Sequence, residues 1–313
     1  MSEGYTENRE YNNKNTSKKD IIIAAGIQLD CSYNKKNIPD RAESYLKQAF
    51  EHYPDIDLVI LPEQFYKPSE TSDMLSEKEV KEWLKSLARK YHVNVVGGSF
   101  ACRSEQDCVC KDGNSNKDSR HDAQSNSVVS GNKNTNTNPF NICYVMDREG
   151  RIVGSYKKIH LFDAFNIKES DEFSPGDTLG IFDLDIGRIG VWICYDSRFP
   201  EVARALSRSG ADLFCVPAAF YKPHSEQWEI LLKAASVMNV TPLIAVNQIG
   251  DLPDGKGFFG RSMAIDAKGV ITAGISDKEG YFVGEIDKAY TRSCREANPE
   301  LRNRRIDLYR NWL

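Results

Sequence analysis

From Ile21 to Asp287 the chain alternates short β-branched runs with stretches of helical spacing, and this alternation restricts it to an α/β architecture before any motif is considered. IIIAAGIQ begins as a buried strand, Ala42, Tyr45, Leu46, Ala49 and Phe50 keep the helical period, and DLVILPE is the next strand. Ser76 and Glu79 form a capping box ahead of Val80, Trp83, Leu84, Leu87 and Tyr91, which share one helical face. VNVVGG follows as a strand. NICYVMD and RIVGSYKK read as hairpin arms joined at Glu149-Gly150, then come the strand RIGVWIC, a helix from Pro200 to a Gly210 stop, and the strand DLFCVP. A helix from Ser225 through Asn239 precedes PLIAVNQ, SMAIDA, GVITAG and YFVGEID, three of them expected to run consecutively antiparallel. Such a mixture of βα units and hairpins predicts a mixed sheet with helices outside.

Two polar tracts interrupt the alternation. Residues 1–19 lack periodicity and are expected to be a disordered arm. Between Gly113 and Asn138, seven Asn and five Ser leave Val128 and Val129 as the only large apolar side chains, too few to offset the entropy of ordering the segment. Strand-like segments flank it on both sides, so residues from about 101 to 138 are expected to be an insertion in a hairpin loop of one domain spanning 20–313. These tracts also account for a mean hydropathy of −0.51 beside a normal 40% apolar content.

The charge balance, 41 basic against 45 acidic residues, argues against nucleic acid as a partner. No apolar run approaches a membrane span, and the N-terminus shows no secretory signal, so the chain is expected to be cytoplasmic. Eight cysteines are too sparse for a disulfide scaffold, and reduced thiols are the expectation. Gly255, Gly257 and Gly260 fit G-x-G-x-x-G but lead into a strand, so no helix N-terminus is there to receive phosphate. GDLPDGKG misses a P-loop because Gly257 stands where a hydroxyl must hold magnesium. Cys102, Cys108, Cys110 and His121 lack zinc-knuckle spacing, and no metal is expected.

Cys194 ends the strand RIGVWIC just before YDSRFPE, a sharp strand-to-helix turn that would present its thiol rather than pack it. A thiol nucleophile needs a base or a nearby positive charge, and none of the five histidines has the local signature of a papain-like partner. A carboxylate or lysine must then serve. Glu63 and Lys158 stand at the ends of DLVILPE and RIVGSYKK, on the same kind of rim, where each alone would be a solvated charge.

Together LPE, KKIHLFD and ICYDSRFPE, in this order and at these separations, resemble the nitrilase superfamily of carbon-nitrogen hydrolases. The similarity runs from about Ile21 to Tyr309, leaving out the arm and the insertion, and points to the small amidase branch that includes ω-amidase and the deaminated-glutathione amidases. The resemblance implies a four-layer αββα sandwich, hydrolysis of a small linear amide bearing a carboxylate, no cofactor, and a homodimer or larger assembly through the helix after Cys194 and the C-terminal segment. It implies Cys194 as nucleophile, Glu63 as general base, and Lys158 with the backbone N–H of Tyr195 as oxyanion donors. Glu169 would orient Lys158 and the water, unless it is an exposed loop carboxylate. Arg198 would reach a substrate carboxylate, or else pair with Glu201 or another surface acid. Phe65, Tyr66, Ala218 and Ala219 would line the pocket mouth. Gln227-Trp228 and the helix LLKAASVMN, with Ala235 and Met238, depart from the family pattern and leave the amide open. Two rivals stand beside this reading: a nitrilase or N-carbamoyl amidohydrolase using the same triad, and a catalytically idle scaffold.

Overall fold

The structure, a computed structural model, describes residues 19–31, 37–67, 75–103, 138–252 and 256–309. The polar arm apart from Lys19, the body of the Asn/Ser-rich tract, and with it Cys108, Cys110 and His121, lie outside the described residues. In chain order come β1 (Ile21–Gln28), α1 (Ile38–His52), β2 (Leu58–Ile60), α2 (Glu77–Tyr91), β3 (Asn94–Val96), β4 (Phe100–Cys102), β5 (Phe140–Met146) and β6 (Ile152–Lys157). A small hairpin of β7 (Asp163–Ala164) and β8 (Ile167–Lys168) precedes β9 (Gly180–Leu184), β10 (Gly187–Val191), α3 (Pro200–Arg208), β11 (Leu213–Ala218), α4 (Ser225–Val237) and β12 (Leu243–Asn247). A second hairpin, β13 (Ile249–Asp251) and β14 (Gly257–Phe259), leads to β15 (Met263–Ile265), β16 (Ile271–Gly274), β17 (Gly280–Asp287), α5 (Lys288–Ala297) and the short α6 (Ile306–Tyr309).

Where the alternation predicted one mixed sheet, two form. The first runs β17-β1-β2-β3-β5-β4, with β6 on the other side of β5, and the second runs β16-β15-β12-β11-β10-β9. Each is built around three parallel strands joined by two helices: β1-α1-β2-α2-β3 and β10-α3-β11-α4-β12. Alternation along β1 sorts the layers. Ile22 and Ala24 join the core between the sheets, while Ala25 and Ile27 pack with Ala42, Leu46 and Ala49 of α1 and Leu84 of α2. Leu58 and Ile60 of β2 do the same on the inner face, with Val59 on the outer. Each such aliphatic side chain contributes about 1.5–3 kcal/mol by leaving water. On the far side Leu206 of α3 and Trp228 and Leu232 of α4 close the second sheet. The result is helix, sheet, sheet, helix, the expected sandwich.

The closeness of the sheets is set at Gly26, where an added Cβ would meet Val246 Cγ2 of the facing sheet at 2.8 Å and the Phe282 ring of β17 at 2.2 Å. YFVGEID, read in line with its three predecessors, instead crosses as β17 to the first sheet and pairs antiparallel with β1. Period-two alternation fixes which face a residue takes, not which strand lies alongside. β12, β15 and β16 are the three consecutive antiparallel neighbours. The flanks of the insertion pair as strands, with Ala101 opposite Asn141 and Cys102 opposite Phe140, so Ala101 and Cys102 belong to β4. Ser76 caps α2 with the reciprocal Glu79 contact expected of a capping box. Gly257 lies in β14, and the element that comes next after Gly260 is the strand β15, not a helix.

Candidate active site

Both parallel units direct the C-terminal ends of their strands to one cleft, where side chains from different strands converge without disturbing the sheets that hold them. Glu63 follows β2, Cys194 follows β10, Ala219 follows β11 and Gln248 follows β12. The Glu63 turn is held from below: Gly98, at φ +62°, sits so close to Pro62 that a Cβ would stand 2.3 Å from its carbonyl oxygen, and the Ser99 hydroxyl accepts from Gln64 N–H at 2.9 Å. Gln248 Nε2 donates to the Glu63 carbonyl at 2.6 Å.

Cys194 adopts φ +45° at the start of a single 3-10 turn, Cys194–Arg198, that separates β10 from α3. A left-handed conformation at a residue with a Cβ is strained and persists only where its surroundings enforce it. The enforcing group is the buried Asp196 carboxylate. It accepts from Ile193 N–H at 3.0 Å, Tyr156 Oη–H at 2.7 Å and His160 N–H at 2.9 Å, and His160 Nδ1 lies 2.8 Å from it. The His160 ring stacks on Phe199 with centroids 3.7 Å apart.

Glu63 and Lys158 are each 2% exposed, and Glu169 and Cys194 are each 8% exposed. Lys158 Nζ donates to Glu63 Oε1 at 2.7 Å and to Glu169 Oε1 and Oε2 at 3.1 and 2.8 Å. Glu63 Oε2 accepts from Ala219 N–H at 2.8 Å, and Glu169 Oε2 from Phe162 N–H at 2.6 Å. Glu169 is therefore a buried partner of Lys158, not an exposed loop carboxylate. Burial opposes the Lys158 charge, yet the Glu63 and Glu169 carboxylates outweigh it and hold the ammonium well above the ordinary lysine range. Burial, then the Glu63 charge, push the Cys194 thiol well above its usual value, against the pull of Lys158 and the Ala219 N–H. At neutral pH the resting sulfur thus carries its proton, beside the Glu63 carboxylate.

The cleft above these groups has a volume of about 750 Å³ and is walled by Tyr195, Arg198, Ala219, Tyr221, His224 and Phe258. A family model for carbon-nitrogen hydrolases matches residues 23–296. The chain belongs to that family. Probable nitrilase C965.09 of Schizosaccharomyces pombe is 31% identical over 87% of this chain and 91% of its own length. The 2-oxoglutaramate amidase of Bacillus subtilis is 30% identical over 90% of this chain and 97% of its own. The crystal structure of a carbon-nitrogen hydrolase from Helicobacter pylori G27 superposes with a TM-score of 0.76 at 27% identity, covering 93% of this chain and 98% of that one.

Within this carbon-nitrogen hydrolase the remaining expected residues divide. Arg198 forms no pair with Glu201; its guanidinium lies over the rings of Phe220 and Tyr195, 5.3 and 5.8 Å from the centroids, and its buried Nε has no hydrogen-bond partner among the described residues. Phe65 and Tyr66 touch the cleft, but Phe65 is fully buried edge-on to Phe100, and Tyr66 Oη accepts from Leu75 N–H. Ala218 does not line the cleft. It is the last residue of β11 and contributes its carbonyl, which accepts from Glu63 and Gln248 N–H groups, while Ala219 reaches the site. Sequence reasoning passed over Asn141, Asp196, His160 and Gln248, all of which hold the site through contacts between distant segments. His224, at the cleft wall, is kept below the ordinary histidine range by burial and by the Arg198 charge. Among the described residues no cluster of three or more His, Cys, Asp or Glu is placed to hold a metal.

Proposed function

We propose that this enzyme hydrolyses the terminal amide of a small linear compound that also bears a carboxylate, with Cys194 as nucleophile. Glu63 takes the thiol proton as sulfur adds to the amide carbon, and the carbonyl π electrons move to oxygen. Lys158 and the Tyr195 N–H receive that oxyanion, a stabilisation worth about 10²- to 10³-fold per donor. As the tetrahedral centre collapses, the C–N bond breaks and Glu63 passes its proton to nitrogen, which leaves as ammonia. Water, oriented by Glu169 and deprotonated by Glu63, attacks the thioester; the C–S bond breaks and the sulfur regains its proton.

The observation carrying the reading is the meeting of a protonated buried thiol, a carboxylate and an ammonium at the base of one cleft. Support for the carboxylate comes from Arg198, a cation in the same cleft with an unpartnered buried Nε. The Bacillus subtilis relative, named for 2-oxoglutaramate, points the same way.

Ammonia release from a panel of dicarboxylate monoamides, nitriles and N-carbamoyl amino acids tests the substrate class. The monoamides should be fastest, and nitriles or carbamoyl compounds in first place would overturn this choice. Arg198→Met should raise KM for a monoamide about 10- to 100-fold, the worth of a charge-assisted hydrogen bond, and leave a neutral amide of equal length unaffected. An equal effect on both would remove Arg198 from carboxylate recognition.

We further place the enzyme in the cytoplasm as a homodimer or larger assembly through α3 and the C-terminal segment. No described helix is long and apolar enough to cross a membrane. Arg204 on α3 has a buried Nη1 without a partner among the described residues, which supports an acceptor from a second copy. Light scattering should give at least twice the 35.4 kDa chain mass; a monomer at micromolar concentration would exclude the assembly.

A further inference from the structure

Asn141 stands second in β5, facing Ala101 across the β4 pairing, and its side chain is fully buried beside the catalytic carboxylates. Nδ2 donates to Glu63 Oε1 at 2.9 Å and to Glu169 Oε1 at 3.1 Å. Lys158 Nζ donates to the same two oxygens. An ammonium and a neutral amide therefore bridge one pair of carboxylate oxygens from two directions, closing a four-membered ring of donors and acceptors. The backbone carbonyl of Asn141 also accepts from Lys158 N–H at 2.9 Å, so one residue fixes both the lysine's main chain and its two anionic partners. Only an amide orientation with NH2 toward the carboxylates avoids placing oxygen against oxygen. That orientation leaves Oδ1 buried without a partner among the described residues.

An orphaned acceptor is an unfavourable feature that a purely structural residue could shed by becoming apolar. Its persistence here goes with what the opposite end of the amide does. Among the described residues, each hydrogen bond that Lys158 Nζ donates is to a carboxylate of this pair. To stabilise an oxyanion in the cleft it must loosen at least one of them, at the moment when Glu63 has gained the thiol proton. Without a second donor the two glutamates would then be free to separate, and the base would lose its aim for the next proton transfer. We propose that Asn141 is a positioning residue that holds Glu63 and Glu169 together while Lys158 turns to the oxyanion, so that it supports the transition state more than the resting site. This inference rests on the catalytic reading above.

The test is Asn141→Leu, close in size and without donors, assayed with the best monoamide of the panel, alongside alkylation of Cys194 by iodoacetamide and thermal melting. The expected result is a fall in kcat of about 10²-fold, on the scale of one lost electrostatic donor, with KM within about threefold. Cys194 alkylation, which needs no oxyanion, should fall less than kcat, and the melt should show a folded variant, the two lost hydrogen bonds to the carboxylates being offset in part by removal of the orphaned oxygen. A kcat within threefold of the parent, or KM rising as much as kcat falls, would overturn the proposal. Should the leucine variant not fold, Asn141→Asp keeps the shape while replacing the donor group by an acceptor, and the same kcat and KM criteria decide. A parent enzyme that releases no ammonia from any panel compound would instead defeat the catalytic reading, whereas an active parent with unaffected variants defeats the role of Asn141 alone.

Discussion

Replacing Cys194 by alanine is expected to lower amide hydrolysis by about 10⁴-fold or more with the fold intact, the scale on which a covalent nucleophile acts. The substitution deletes one sulfur from a strained turn, and Asp196 continues to fasten that turn through Ile193, Tyr156 and His160. Thermal stability should therefore change little. Undiminished ammonia release by the alanine variant would refute the thiol mechanism, whereas its loss in a folded variant would exclude the idle-scaffold reading. A companion measurement uses the raised pKa of the thiol. An unassisted cysteine alkylates faster as pH rises toward its ordinary value of about 8.5 and then levels off. Cys194, whose burial and Glu63 neighbour keep the sulfur protonated beyond that point, should react with iodoacetamide at a nearly constant rate between about pH 7 and 9, with Glu63 as the base. Cys143 and Cys215 are fully buried and raised by the same desolvation, and should stay unlabelled.

The three chain segments that carried the resemblance were legible because each places its candidate residue next to a strand end, where local spacing already shows the transition from apolar run to turn. Glu63, Lys158 and Cys194 meet in the cleft for that reason. Glu169 was readable only through the resemblance, since ESD in a polar stretch resembles any surface loop until its partners, Lys158 and Phe162, fold over it. Asn141 gave a fainter signal, a lone amide near the start of the otherwise apolar strand FNICYVM. Its meaning depends on β5 lying beside β6, whose end delivers Lys158, and on contacts spanning 78 residues to Glu63 and 28 to Glu169. Asp196 was likewise hidden in a motif that drew attention to its neighbour. Side chains that act by holding another side chain have no periodicity of their own.

The fold divides along the same line. Helices α1 to α4 were visible from spacing and caps, because a helix satisfies its backbone within one segment. The division into two sheets was not visible in the alternation, since a strand's hydrogen-bond partner is set by packing between distant segments. β17 illustrates this: its alternation is the clearest in the C-terminal part, yet it closes the first sheet against β1, more than 250 residues earlier in register. Placing β17 there brings the two parallel units face to face, and with them the strand ends that bear Glu63 and Cys194.

Lys158→Met is expected to damage both activity and stability, and the second effect separates it from Cys194→Ala. Methionine fills nearly the same volume but leaves the Glu63 and Glu169 carboxylates, with side chains 3% and 8% exposed, facing each other without a cation. Removing one partner from a buried ion pair costs about 3–5 kcal/mol. In a chain of this size that corresponds to a fall in Tm on the order of 10 °C. The sign of the pH dependence follows from the raised Lys158 pKa. A group held above its unfolded value contributes stability in full below that value, about 10.4 for lysine, and loses it as pH rises through the folded pKa. The difference in Tm between parent and variant should accordingly be steady from about pH 6 to 9 and narrow only as the parent's ammonium deprotonates in strong alkali. Hydrolysis should fall at least about 10²- to 10³-fold through loss of the oxyanion donor. Melting curves across this range, with activity at one pH, read both effects. A variant as stable as the parent at neutral pH would mean that the two carboxylates do not depend on Lys158 for their charge, and a rate above one tenth of the parent's would remove the ammonium from oxyanion stabilisation.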